Sequence, residues 1–185
     1  MDLIQRSQSG DEQAFAALFH QYKNLVYKTA YLILGDAHEA EDVLQEVFIK
    51  VYRSLHTFQP KKGAFTTWLY RITINHCLNR RRKRHLSFSS LDDPDGNTSP
   101  SSESLYQKRE FAEGIQQMVS SLRPKQRAVV VLRYYWGFSY AEIAQILNIP
   151  IGTVKSRLWK ALRTLRKEFE ARSDEQLVEV RCDET

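Results

Sequence analysis

The chain has 185 residues, of which 42% are hydrophobic and 26% are charged, with only 7 glycines and 5 prolines. This composition is that of a globular protein with one domain or two small ones, and it excludes a fully disordered chain and a fibrous repeat. The formal net charge of +5 conceals opposed blocks, because residues 60–86 contain 8 basic and no acidic side chains and residues 113–172 contain 11 basic and 4 acidic ones. Two basic blocks separated by an acidic stretch are typical of a chain that contacts a polyanion at two places, although two solvated helix faces would give the same pattern.

The first half of the chain predicts a compact domain of three helices. Gly35 is a suitable helix stop and Asp36 a suitable N-cap, while the Pro60–Gly63 segment separates the second helix from the third. Helices with one apolar stripe each can bury those stripes only against one another, so residues 1–86 are predicted to form one domain. The three stripes lie at residues 15–33, 40–55 and 65–78.

A polar segment follows and predicts a boundary between two domains. Residues 87–102 (SFSSLDDPDGNTSPSS) are rich in Ser, Asp, Pro and Gly and lack periodicity, which is the composition of a flexible linker. Beyond it, another apolar stripe at residues 105–122 predicts a helix, and Pro124 suits the first turn of the next one. The sequence therefore predicts an all-α protein with two small helical domains.

The most local signal in the second domain is a capping box, Ser139-Tyr140-Ala141-Glu142, which opens a short helix through Leu147. A turn at residues 148–152 follows, and Thr153 can cap a longer helix. A short helix, a tight turn and a longer helix with a basic open face are typical of a helix-turn-helix, although an ordinary helical hairpin shares this pattern. The core stripe of the longer helix is predicted at Val154, Leu158, Leu162, Leu165 and Phe169.

The opposite face of this longer helix carries Lys155, Ser156, Trp159 and Lys160. Lysine can donate to guanine O6 or N7 and serine can donate or accept, while the arginines and lysines farther along fit phosphates. Trp159 has two interpretations that the sequence leaves open: contact with a base or sugar, or cover for the edge of the core.

In the first domain, aromatic and basic side chains are interleaved before a dense basic run. Residues 79–84 (NRRRKR) carry too many like charges for a helix packed on all sides, so phosphate contact is their natural use. Residues 65–71 (FTTWLYR) suit stacking on unpaired bases. For Phe65, Trp68 and Leu69 the simpler interpretation is core packing at helical spacing, which applies less to Tyr70 and the polar neighbours.

Five acidic side chains cluster near the start of the second helix and would repel DNA. They face either a protein partner with basic side chains or plain solvent, and charge alone does not choose between these. The members of this cluster are Asp36, Glu39, Glu41, Asp42 and Glu46.

No pattern in the sequence favours catalysis, a metal or a cofactor. It has no phosphate-cradling glycine loop and no HExxH, its five histidines lack ligand spacing, and Cys77 and Cys182 stand apart from any Cys/His cluster. No apolar run is long enough for a membrane span, and the first residues lack the apolar core of a signal peptide. A cytoplasmic protein that is not an enzyme is expected.

Taken together, the motifs resemble those of the extracytoplasmic-function (ECF) sigma factors of bacterial RNA polymerase. Each segment is moderately specific, and their order and spacing across residues 10–170 are highly specific. The matching segments are EAEDVLQEVF at 39–48, FTTWLYRI at 65–72, LRPKQR at 122–127, SYAEIA at 139–144 and GTVKSRL at 152–158.

The resemblance implies a role for each segment of the chain. Residues 1–86 would be the sigma region 2 domain, 87–102 a linker, 103–172 the region 4 domain and 173–185 an acidic tail, which is expected to be frayed. Core polymerase would be bound by Asp42, Gln45 and Glu46. The minus-10 element and its melted strand would be bound by Thr66, Trp68, Tyr70, Asn75, Asn79, Arg80 and Arg82. The minus-35 element would be bound by Thr153, Lys155, Ser156, Arg157, Trp159, Lys160 and Arg163.

The implied partners are core RNA polymerase, through its beta-prime clamp helices and beta flap, together with promoter DNA and a cognate anti-sigma factor. The implied function is that of an alternative initiation factor that directs polymerase to promoters and assists their melting. Two rivals remain: a free-standing helix-turn-helix regulator, and an adaptor that acts through protein contacts alone. The first has no need of the acidic helix, and the second has no need of a basic recognition face.

Overall fold

The computed structural model describes residues 2–88 and 119–182, with side chains described for 2–82 and 119–170. Within these residues the chain is helical and has no strand, which confirms the all-α prediction. The predicted helix at 105–122 and the predicted linker at 87–102 fall almost wholly outside the described residues. None of the helices in the described part combines the length and apolarity that a membrane crossing requires.

The first domain contains four α-helices, one more than predicted, and two short 3-10 helices (Leu55–Thr57 and Pro60–Lys62) between the last two. Asp11 caps the second of them by accepting from the Ala14 N–H at 3.0 Å, and Asp36 caps the third by accepting from the Glu39 N–H at 2.8 Å. Between them Gly35 ends a helix with φ of +83°, a left-handed conformation that glycine adopts without steric cost. The helices are α1 (Leu3–Gln8), α2 (Glu12–Leu34), α3 (Ala37–Ser54) and α4 (Phe65–Phe88).

The apolar stripes of α2, α3 and α4 face one another, as their spacing predicts. The short helix α1 adds little to this core, since no residue of α1 is fully buried. The packing of three stripes fixes which faces of α3 and α4 remain outside, and these faces carry the charged residues discussed below. Fully buried side chains in this core include Val26, Ile33, Val43, Val47, Leu69 and Ile74.

The second domain contains the predicted helix-turn-helix. The capping box is present, with Ser139 N–H donating to Glu142 Oε2 at 2.8 Å and Glu142 N–H donating to Ser139 Oγ at 3.3 Å. Asn148 ends the short helix in the left-handed region, with φ of 51°. The helices are α5 (Pro124–Val130), which continues as a π-turn (Val131–Tyr135), then α6 (Tyr140–Leu147) and α7 (Ile151–Cys182).

Helix α7 differs from its prediction at both ends. It begins at Ile151, so Thr153 lies within its first turn and is not its cap. Leu162 and Phe169 were predicted in the core stripe but are 43% and 74% exposed. The backbone stays helical to Cys182, where a frayed tail from residue 173 was predicted.

The two domains are in contact. Helices α5 and α6 pack against α2 and α4 of the first domain. Their buried residues belong to one continuous apolar cluster with those of the first domain. The face of α4 that meets the second domain is therefore partly covered.

Candidate functional site

The exposed face of α7 is built by the packing of its opposite face. Val154, Leu158 and Ala161 are at most 4% exposed and hold the helix against α5 and α6. Lys155, Ser156 and Lys160 consequently point outward and are exposed. The helix therefore presents a polar and basic row to solvent, which is the geometry of a recognition helix in a helix-turn-helix.

Trp159 lies in this outward row and is 60% exposed. The guanidinium of Arg163 lies over its ring at 5.4 Å from the centroid, a cation–π contact. Trp159 is therefore not core cover, which removes one of its two interpretations. Thr153 and Arg157 are half-buried at the margin of the same face, and the Thr153 carbonyl accepts from Ser156 Oγ at 3.1 Å.

On α4 the predicted DNA-binding residues fall into two groups. Asn75, Asn79 and Arg82 are exposed. In contrast, Thr66 and Trp68 are half-buried, and the Trp68 ring packs against Phe58 and Phe65 with centroids 5.5 and 5.6 Å apart. The core interpretation of Trp68 therefore holds in part.

Tyr70 departs from the sequence-based expectation. It was predicted to escape the core, but it is 3% exposed and its ring contacts Trp136 and Phe138 of the second domain. Burial raises the pKa of the Tyr70 phenol above its ordinary value, because the phenolate would lose its hydration. The reason that periodicity missed this burial is that the covering residues lie more than sixty positions away.

Two acidic residues of α3, Asp42 and Glu46, are paired with α4. Arg80 Nη2 lies 2.7 Å from Asp42 Oδ2, and Arg80 Nη1 lies 3.3 Å from Glu46 Oε1. His76 Nε2 lies 2.5 Å from Glu46 Oε2. The structure thus joins two residues predicted to bind polymerase to one predicted to bind DNA. The sequence does contain a signal for this pairing. Asp42 and Glu46 on α3 are four residues apart, as are His76 and Arg80 on α4, so each pair lies on one helix face.

An apolar groove runs beside this acidic row and was not predicted. Ile49 and Tyr52 are 53% and 58% exposed, which is high for large apolar side chains on a packed helix. Gln45, which is exposed, lines the groove and connects it with Asp42 and Glu46 on the outer face of α3. The groove is lined by Phe15, Phe19, Gln45, Phe48, Ile49, Tyr52 and Arg53.

Comparison with known proteins identifies both domains. Residues 18–86 match the family model for sigma-70 region 2, and residues 112–165 match that for sigma-70 region 4. The chain is 37% identical over 177 residues to the ECF RNA polymerase sigma factor SigW of Bacillus subtilis, covering 90% of this chain and 94% of the relative. The chain belongs to the ECF sigma factors.

Other relatives of this ECF sigma factor agree. It is 35% identical over 172 residues to the ECF RNA polymerase sigma-E factor of Escherichia coli, with 86% of this chain and 88% of the relative covered. Members of this family are transcription initiation factors and not classical enzymes.

Two solved structures share its fold. One is CnrH in complex with the cytosolic domain of CnrY, with a TM-score of 0.65, 21% identity, and 91% of this chain and 96% of that chain covered. The other is the sigma factor RpoE of Bartonella quintana in complex with the anti-sigma factor NepR, with a TM-score of 0.68, 23% identity, and 84% and 96% covered.

Proposed function

We propose that this ECF sigma factor binds core RNA polymerase through α3 and directs it to promoters in the bacterial cytoplasm. In this proposal α7 reads the minus-35 element and α4 contacts the minus-10 element and its melted strand. The supporting observation is that one chain exposes both a basic recognition face on α7 and an acidic face with an apolar groove on α3.

The outer face of α3 suits a protein partner better than solvent. Asp42 and Glu46 keep 59% and 50% of their side-chain surface exposed although both are paired with Arg80. Gln45 is exposed on the same helix and borders the apolar groove. A surface that binds a helix usually combines two features. An apolar groove excludes water, and charged groups beside it fix the register of the partner helix. We assign this face to the clamp helices of polymerase.

The recognition face of α7 suits duplex DNA. Lys155, Ser156 and Lys160 carry N–H and O–H groups that can donate to guanine and phosphate oxygens. Trp159 lies beside them, with the guanidinium of Arg163 over its ring. Thr153 and Arg157 lie at the margin, where phosphates flank a helix in the major groove. The DNA contact would need no rearrangement within the second domain, because this face is already open.

The minus-10 face of α4 is only partly available. Asn75, Asn79 and Arg82 are exposed, and Arg80 could reach a phosphate after exchanging its carboxylate partners. Tyr70 is covered by the second domain, and Trp68 packs on Phe58 and Phe65, so both would contact unpaired bases only once they are uncovered.

A cognate anti-sigma factor is a further proposed partner. The Bartonella relative of similar fold is held by an anti-sigma factor, and the groove beside Gln45 offers a helical partner an apolar seat. An anti-sigma factor that used this groove would compete with polymerase.

The test is run-off transcription with core RNA polymerase on pooled genomic fragments, with and without this protein. New, discrete start sites are expected with the parent chain, and Glu46→Lys should abolish them, because it reverses one charge of the docking face. Asp2→Lys is the matched control. It makes the same reversal at an exposed cap residue of α1 that makes no side-chain cap hydrogen bond, and it should leave transcription unchanged.

Two results would contradict the proposal. If no start sites appear although the protein binds specific DNA alone, it acts as a free-standing regulator. If Glu46→Lys and Asp2→Lys behave alike, the docking face has been assigned wrongly.

A further inference from the structure

The loop between α3 and α4 presents two lysines to solvent. Residues 59–64 are all exposed, and Lys61 and Lys62 lie among them in the second short 3-10 helix. Neither lysine forms an ion pair with a described residue. Both belong to the basic block at residues 60–86, which contains no acidic side chain. The loop therefore carries two positive charges that no described carboxylate neutralises.

Aromatic packing closes the base of this loop. The ring of Phe58 meets the ring of Phe65, the first residue of α4, with centroids 5.4 Å apart and planes at 88°. Such edge-to-face pairs are favourable beyond the area they bury, and both side chains are at most 7% exposed. Within the loop the Lys62 N–H donates to the Gln59 carbonyl at 2.9 Å. The loop therefore leaves the core and returns to it at two fixed points.

Gln8, the last residue of α1, holds the start of the loop. Its side-chain Nε2 donates to the carbonyls of Leu55 and Phe58, each at 2.9 Å. A side-chain amide nitrogen carries two hydrogens, so both are used on this single turn of the chain. The acceptors lie 47 and 50 positions away from Gln8 along the sequence. The conformation of the turn therefore depends on a residue of another helix.

Helix α1 is itself fixed on α2, which makes it a suitable anchor. Arg6 Nη2 lies 2.7 Å from Asp11 Oδ2, and Asp11 is the residue that caps α2. The Asp11 N–H donates to the Arg6 carbonyl at 3.1 Å, and Leu3 and Ile4 pack against the core. The position of Gln8 is thus set by α2 and the core, and its amide passes that position on to the loop.

The two lysines lie within reach of a nucleic-acid strand that follows α4. Asn75 is about 15 Å from the first residue of α4 and Arg82 is about 26 Å from it, at about 1.5 Å per residue. Phosphates of one strand of a duplex are about 3.4 Å apart along its axis. A strand that passes Asn75 along α4 therefore comes to the loop after about four phosphates. A lysine is a charge on a flexible stem, which suits contact with phosphates.

We propose that Lys61 and Lys62 contact phosphates of the promoter strand beside α4 and that Gln8 positions them for this contact. With both hydrogen bonds present, the loop is ordered before DNA arrives, so binding does not have to order it. Without them the turn moves away from the strand and the phosphate contacts are lost. This proposal rests on the proposed function, because it requires α4 to bind promoter DNA.

The salt dependence of promoter binding tests the proposal, because Gln8 carries no charge. Titration of core polymerase and this chain with promoter DNA between about 50 and 200 mM salt gives the slope of log K against log salt. Replacing Lys61 and Lys62 by alanine should lower the slope by about 1.4 for a single strand or about 1.8 for a duplex, since each lost contact removes about 0.7 or 0.9. Gln8→Ala removes no charge, yet it should lower the slope toward the same value.

A double-mutant cycle separates positioning from general stability. In a chain that already lacks both lysines, Gln8→Ala should change promoter affinity little, because the contacts through which it acts are gone. Gln5→Ala, the same substitution at an exposed residue of α1, is the matched control and should leave slope and affinity unchanged. Urea unfolding of each variant checks that the transition stays cooperative.

Each possible failure has a separate meaning. An unchanged slope in the variant without both lysines would overturn the phosphate contacts. A lowered slope in that variant with an unchanged slope in Gln8→Ala would overturn the positioning role, and so would additive effects in the cycle. If core polymerase and the parent chain together bind no promoter, the proposed function fails and this proposal fails with it.

Discussion

Arg80 has two candidate roles, and replacing it by alanine separates them. It bridges Asp42 and Glu46 across α3 and α4, but these carboxylates are 59% and 50% exposed, so water already screens both pairs. Exposed ion pairs contribute about 0.2–1 kcal/mol each, and Arg80→Ala should therefore lower the free energy of unfolding by only about 1 kcal/mol. If Arg80 also contacts a phosphate, its loss should reduce the salt dependence of promoter binding by one contact. The slope of log K against log salt would then fall by about 0.7 for a single strand or 0.9 for a duplex.

Urea unfolding measures the first quantity, and titration of the polymerase complex with promoter DNA between about 50 and 200 mM salt measures the second. Lys28→Ala on α2, an exposed cation on another helix, is the control for general charge effects. A loss of about 3 kcal/mol or more would show that Arg80 is mainly structural. A weaker affinity with an unchanged salt slope would refute the phosphate contact.

Three further outcomes are expected. Ser139→Ala removes the acceptor for the Glu142 N–H and should cost about 1 kcal/mol, measured as a lower urea midpoint at constant slope; an unchanged midpoint would mean that the cap contributes nothing. Burial raises the pKa of Tyr70 above its ordinary value of 10.0, so Tyr70 stays protonated in the folded chain while it ionises in the unfolded one. The stability that the buried phenol adds to the fold is complete below about pH 10. Above that pH it falls by up to about 1.4 kcal/mol per pH unit. Burial lowers the pKa of Arg127 to about 10, which raises stability over the same range, so the difference between the parent and Tyr70→Phe isolates the phenol. The parent should lose more stability than Tyr70→Phe between about pH 9.5 and 11.5, and equal losses would contradict this reasoning. Trp159→Ala should change the free energy of unfolding by less than about 0.5 kcal/mol, because the ring is 60% exposed, while weakening minus-35 binding; unaltered affinity would remove Trp159 from the recognition face.

Local features were predictable because the groups that form them lie within a few residues of one another. The caps at Asp36 and Ser139 each join a side chain to an N–H three positions on, and the stop at Gly35 depends on one backbone conformation. The same holds for the outward row on α7, since helical period places Lys155 and Lys160 opposite Val154 and Leu158.

The helical spacing of apolar residues predicted too many buried side chains on α7, because the helix extends past its neighbours. Leu158 and Phe169 share a stripe on α7, but Leu158 is 4% exposed and Phe169 is 74% exposed. Periodicity records which face is apolar and carries no information on how far the rest of the fold covers that face.

The sequence by itself determined the helices α2 to α7 but not α1, the caps at Asp36 and Ser139, the two-domain family and the outward row of the recognition helix. Only the tertiary structure decided that Asp42 and Glu46 pair with Arg80 and that Tyr70 and Arg127 are buried at the contact between domains. The physical reason is the distance along the chain between the residues that interact. Caps and stripes are set by interactions within one or two helical turns, whereas burial and ion pairing depend on which residues distant in the chain approach in the folded state.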